Sequence, residues 1–249
     1  VEQHHRQVGI GGLGPAEEQQ TIGADTTSAI TEAPGQFGRA IGTGALTITG
    51  GTLNNTSGSA KSLSNNNAQN WNGDFTFAGT KDLNMGTGAV TMNASRTVTV
   101  SNGNFTVGGN ISGSTFGLTK NGSGTQTLSG NNTYTGGTTV NEGTLDLVGQ
   151  GVIGGALTVD GSSSLVKLSA TAINGMSRLN SLTLSNGGTF TDNGPVGGLH
   201  SVNAGVVFDG GGTITSEVAG QGGFGNFLFI GGFTVTDTAG LATISADKI

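Results

Sequence analysis

The sequence predicts an all-β chain: a parallel β-solenoid over residues 41–249, preceded by an arm outside the solenoid over residues 1–40. Three observations carry this expectation. Glycine supplies 49 of the 249 residues and charged side chains only 10%, against about 7% and about 25% in an average soluble domain. The apolar residues, 33% of the chain, come in short β-branched pulses such as Leu46-Thr47-Ile48, Val98-Thr99-Val100 and Leu157-Thr158-Val159. That is the pattern of strands, not of a disordered low-complexity tract. From Ala45 to about Leu184 the pulses return at roughly seven-residue intervals, separated by Gly or Asn turns.

The pulses centre near Thr47, Thr76, Leu83, Thr91, Thr99, Thr106, Thr119, Thr127, Thr139, Asp146, Thr158, Lys167 and Thr183. Three such strands make a coil of about 20 residues, the order expected when successive coils stack. Val, Ile, Leu, Phe and Thr fit a narrow stacked interior. Gly and Asn fit corners, because they tolerate φ > 0. Thr, Ser and Asn fit outward positions, where they meet their own kind in the coils above and below. At about 4.8 Å per coil, ten coils of about 20 residues make a rod about 50 Å long.

An antiparallel sandwich is the alternative. Its support is Asn-Gly at Asn72, Asn102, Asn121, Asn174, Asn186 and Asn193, the preferred two-residue hairpin turn; against it stand very short strands with no long arms to pair. Helix signals are weak, since Gly interrupts nearly every window, and the nearest candidate, Leu168 to Met176, is short and rich in Ser and Thr.

Composition also limits function. A net charge of −6 with only nine Lys and Arg argues against nucleic-acid binding, which concentrates basic residues. No apolar run approaches the ~18 residues of a membrane span, so no membrane insertion is expected. Cysteine is absent, so stability is expected from hydrogen-bonded ladders and packing. The sequence starts at Val1 without a leader, so a signal peptide is expected to have been removed or to lie outside it.

One segment is more specific. Leu118-Thr119-Lys120 leads to Gly122 and Gly124, followed by Thr127-Leu128-Ser129-Gly130. Then come the corner Asn132-Thr133-Tyr134-Thr135-Gly136-Gly137-Thr138 and Gly143-Thr144-Leu145. Residues 117–145 thus resemble the autotransporter-associated β-strand repeat of surface-protein passengers. The resemblance covers about 29 of 249 residues, and residues 95–107 echo it more loosely. It implies a right-handed parallel β-helix at the cell surface or outside the cell. No segment resembles the membrane β-barrel that such passengers usually carry, which leaves the export route open.

The two ends differ from the middle. Residues 1–40 hold seven of the 24 charged residues and few pulses, while Phe224, Phe227, Phe229 and Phe233 place four of eleven Phe within ten residues. The window Phe227-Leu228-Phe229-Ile230 is the most prone to β-association. The arm, with Ile10 and Leu13, is expected to lie along a neighbouring copy, with the Phe-rich segment as the apolar side of that contact. Open head-to-tail contacts of this kind build fibres. Alternatively, the arm caps its own first coil and the Phe cluster is core.

Catalytic readings are thin. Glycoside hydrolysis needs two carboxylates at roughly 5–9.5 Å on one cleft; the pairs on offer are Asp74 with Asp82 and Asp209 with Glu217, and a lyase would have only Lys81 or Lys167. Each reads better as a solvated surface charge. His4 and His5 point oppositely on an extended arm and His200 stands apart, so no metal is expected. Gly9 to Gly14 spells G-x-G-x-x-G without its flanking strand and helix, Asp209-Gly-Gly-Gly lacks the repetition of a calcium solenoid, and the sequons at Asn104, Asn110 and Asn131 follow from abundant Asn and Thr. The expectation is a structural subunit of an extracellular fibre or surface layer, without cofactor, with itself as partner. The alternative is an adhesin meeting surface glycans through outer Thr and Asn with Trp71 and Tyr134. A polysaccharide-degrading enzyme is the weakest reading.

Overall fold

The structure is a computed structural model that describes residues 44–148, 153–169, 178–192 and 204–216, and strand segments at 8–9, 20–22, 27–30, 200–202, 227–229, 233–235 and 242–246. No helix occurs among the described residues, and every strand pairing is parallel. The chain is a β-solenoid. Each of the thirteen pulses named above falls on a strand.

Two long sheets run along the axis. Sheet A has eleven strands: Val8–Gly9, Thr27–Ile30, Thr52–Asn55, Phe75–Phe77, Arg96–Val100, Leu118–Asn121, Thr138–Val140, Ala156–Asp160, Ser181–Ser185, Val206–Asp209 and Phe233–Val235. Sheet C has nine, from Lys61–Ser62 to Ala242–Ala246. Between Thr52–Asn55 and Val206–Asp209 lie about seven turns. The third side is discontinuous: five-stranded sheet B ends at Ile111–Ser112, and three-stranded sheet D begins at Arg178–Leu179. Within residues 1–40, the described strands pair in register with the next coil, Thr21 with Thr47 and Ser28 with Leu53. At those strands the ladders run on across the boundary expected near residue 40. The rest of that segment, with Ile10 and Leu13, lies outside the described residues.

Strand alternation sets inside from outside. In sheet A, Phe75, Val98, Lys120, Val140, Val159, Leu184 and Phe208 form one inward row, all buried. Thr97, Thr119, Thr139, Thr158 and Thr183 form an outward column, each half-buried. Each strand turns its alternate residues inward, so β-branched, Leu and Phe side chains stack in rows from coil to coil.

Coil length varies more than a fixed repeat of about 20 residues would have it. Read along the inward row, it falls from 23 residues (Phe75 to Val98) to 20 (Lys120 to Val140) and 19 (Val140 to Val159), then rises to 25 (Val159 to Leu184). Aromatic content follows. Trp71, Phe75, Phe77 and Phe105 pack together in the wide coils, with ring centroids 5.1–5.9 Å apart. Residues 117–189 contain no Phe or Trp, and Phe190 and Phe208 fill the widened coils beyond. A larger cross-section needs bulkier filling to stay close-packed.

The Asn-Gly pairs mark corners, not hairpins. Gly103 and Gly122 have φ of 64° and 80°, and Asn186 has φ 51°, each between consecutive strands of different sheets. Asn174 and Asn193 lie outside the described residues, as do residues 170–176 of the weak helical candidate.

Candidate functional site

The repeat-like segment is where the third side loses its strands. After Thr125–Leu128 the chain crosses to Thr138–Val140 without a strand. Ile111, on the last strand of sheet B, would otherwise face the next coil with unpaired backbone groups, which is costly when buried. Asn132 supplies the missing partner. Its side-chain oxygen accepts the Ile111 N–H at 2.9 Å, and the Thr133 N–H donates to the Ile111 carbonyl at 2.8 Å. Asn132 is 3% exposed. A side chain thus stands in for a strand and closes the edge of sheet B.

Tyr134 fills the volume that the lost strand vacates. Its ring is fully buried, and its hydroxyl shares a 2.6 Å hydrogen bond with Thr138 Oγ1. Burial pushes the phenol well above its usual range, and the Thr138 bond pulls the other way by less. Beside it, the backbone of Gly136 runs against the previous coil: a Cβ there would sit 2.3 Å from the Thr115 carbonyl oxygen. The short third side exists because Asn132, Tyr134 and Gly136 together let two coils approach without a strand between them.

The same coil has an unusually polar interior. Lys120 lies in the inward row of sheet A, and Gln126 in that of sheet C between Phe105 and Leu145. Both are buried, and neither Gln126 amide atom has a hydrogen-bond partner among the described residues. Outside, a shallow groove of about 260 Å³ runs past Ser95, Gly117, Thr119, Gly137, Ala156 and Thr158. The close stacking of coils explains its small residues without a ligand.

Trp71 and Tyr134, expected as glycan contacts, are core residues, each 0% exposed. Alternation turns Trp71 inward with Gln69, whose side-chain oxygen accepts its indole N–H at 3.2 Å. The correction is physical: a buried ring has no face to offer a sugar. The outer Thr and Asn columns are where the sequence expects them. In one, Asn141 Nδ2 donates to Asn121 Oδ1 at 2.9 Å.

Two of the candidate acids, Asp74 and Asp82, stitch coils together. Asp74 accepts the Thr97 N–H and Asp82 the Asn104 N–H, both at 2.8 Å and both from the following coil. Arg96 stands 3.8 Å from Asp74 and donates through Nε to the Trp71 carbonyl. Lys81 is exposed, and Lys167 pairs in register with Asp146 on the outer face of sheet C. Asp209 is exposed at a corner, its backbone carbonyl accepting the Asn186 N–H at 2.9 Å. Glu217, His4, His5, Phe224 and most of Gly9–Gly14 lie outside the described residues, and His200 lies on a strand paired with Phe227–Phe229. Among the described residues no three His, Asp or Glu side chains group as metal ligands.

Sequence reading missed Lys120 and Asn132. Lys120 was legible: Leu118-Thr119-Lys120 alternates, so whatever face Leu118 takes, Lys120 shares. Asn132 carries no such signal, since a polar residue in a Gly- and Asn-rich corner looks exposed.

No curated protein and no solved structure matches the chain. Residues 118–147, the coil built around Lys120, Asn132 and Tyr134, match the family model described as the passenger-associated-transport-repeat, and such a repeat implies a passenger region of a secreted or cell-surface protein.

Proposed function

We propose that this chain is a structural rod of a passenger-type surface protein, and that copies join end to end through their solenoid edges into a fibre or surface layer. The observation that carries the reading is the in-register ladder of sheet A, which holds the inward row and the outward Thr column through successive coils. Such an architecture transmits position along an axis and exposes backbone donors and acceptors at its ends.

Three of the four Phe residues expected in self-association support the same reading by their placement. Phe227 and Phe229 lie on the outermost described strand of sheet D, and Phe233 on that of sheet A. A second copy stacking there would extend both sheets at once. Asp74 and Asp82 of the catalytic reading serve backbone amides, which favours a structural role over an enzymatic one.

Negative-stain microscopy of the purified chain tests this. Filaments that lengthen with protein concentration are expected, and Val235→Pro, at a register position whose N–H turns toward the open edge, should shorten them. Isolated short rods at every concentration would refute end-to-end assembly.

A further inference from the structure

Lys120 is a fully buried lysine in an otherwise apolar row, with Val98 and Val140 as its register partners on either side. An ammonium withdrawn from water is costly unless other oxygens replace the hydration shell. Here they do. Nζ donates to the backbone carbonyls of Asn121 at 3.2 Å, Gly122 at 2.6 Å and Glu142 at 2.9 Å. The first two belong to the corner of its own coil; the third belongs to the same corner of the next. An ammonium has three donors and no acceptor, and three oxygens receive them.

The charge state fits this arrangement. Burial pushes the Lys120 ammonium down from 10.5 to about 8, and the Glu142 carboxylate pulls it partly back up, so it keeps its proton at neutral pH. The neighbouring backbone bonds, Asn141 N–H to the Lys120 carbonyl at 3.0 Å and Thr144 N–H to the Gly124 carbonyl at 3.2 Å, flank the three acceptors and report on whether this corner is closed.

We propose that these carbonyls form an ammonium-binding cradle shared by two coils, with Lys120 as its tethered ligand, and that the charge held there, not the aliphatic stem, locks one coil corner to the next. The cradle suits a compact monovalent cation such as ammonium, because three converging carbonyl oxygens replace part of its hydration shell, whereas a bulky cation sheathed in methyl groups cannot reach them. Removing the amine leaves the oxygens in place for a free ammonium ion.

The wild-type chain gives the first test. At neutral pH the Lys120 ammonium should be visible by ¹⁵N–¹H spectroscopy and exchange with solvent about tenfold or more slowly than exposed Lys81, the factor a charged hydrogen bond supplies. In Lys120→Met, which keeps the stem's bulk, the Asn141 and Thr144 amides should exchange about tenfold faster or more. In Lys120→Ala, ammonium chloride should restore their protection, whereas tetramethylammonium chloride at equal ionic strength should not. A Lys120 ammonium exchanging as fast as that of Lys81 would overturn the proposal. So would unchanged amides in Lys120→Met, or equal action of the two salts. If neither variant folds, the wild-type exchange rate decides alone.

Discussion

Replacing Tyr134 with alanine lowers stability by about 3–5 kcal/mol, the range for emptying a buried aromatic site. The ring is fully enclosed in a coil that has no other aromatic and no strand of its own on that side. Urea unfolding should show the loss as a lower midpoint. Tyr134→Phe keeps the ring and removes only the hydroxyl, which strands Thr138 Oγ1 in the core and costs about 1–2 kcal/mol. The two variants separate filling from hydrogen bonding. They also carry a pH signature. The folded phenol titrates above its unfolded value of 10.0, so Tyr134 contributes fully below pH 10 and loses its contribution as pH rises beyond. The stability gap between wild type and Tyr134→Phe should therefore be constant up to about pH 9 and narrow above pH 10. A gap that stays constant through about pH 11 would mean that the phenol is not buried.

Gly136→Ala is the second large effect, and it comes from a single methyl. Its Cβ would lie 2.3 Å from the Thr115 oxygen and 2.4 Å from the Phe116 carbonyl carbon. These are backbone atoms of the preceding coil, which cannot swing aside like a side-chain tip. Separating the coils to admit it should destabilise by roughly 2–3 kcal/mol, as overpacking does, and should break the Gly136 N–H bond to the Phe116 carbonyl. Gly58→Ala is the matched control. It has open space around the added methyl and only a positive φ, 82°, to strain, at a cost of about 1 kcal/mol. Denaturation midpoints for the pair check the order. If both variants behave alike, coil spacing at the repeat is not as close as described.

The two effects show which parts of this protein its sequence discloses. Strand positions and the parallel stack were legible because a solenoid interior admits so few residue types that Leu46-Thr47-Ile48 or Leu157-Thr158-Val159 can be read directly as in-out-in. Corners were legible for the same reason, in Asn-Gly. The strandless third side was not, because it depends on Asn132 imitating a strand partner, and nothing in the local pattern distinguishes an inward Asn from a solvated one. Trp71 and Tyr134 fit the alternative surface reading in sequence because large polar-tipped rings suit binding faces as well as cores. Alternation with Gln69 hides Trp71, since an inward Gln weakens the apolar pattern that would have announced it. The early strands Gln20–Ile22 and Thr27–Ile30 give little signal, because each sets only one or two apolar residues at the end of a short polar run.

The central claim is that coils stack in register along one axis, and spin-label distances test it most directly. The chain has no cysteine, so labels report only where they are introduced. With Thr97→Cys fixed, partners at Thr158, Thr183 and Thr234 lie three, four and six register steps along sheet A. Backbone separations should be about 14, 19 and 29 Å at about 4.8 Å per step. Distances that grow linearly with step number would bear out the stack. A Thr97–Thr234 separation no longer than that of Thr97–Thr158, as strands folded back on one another would give, would contradict it.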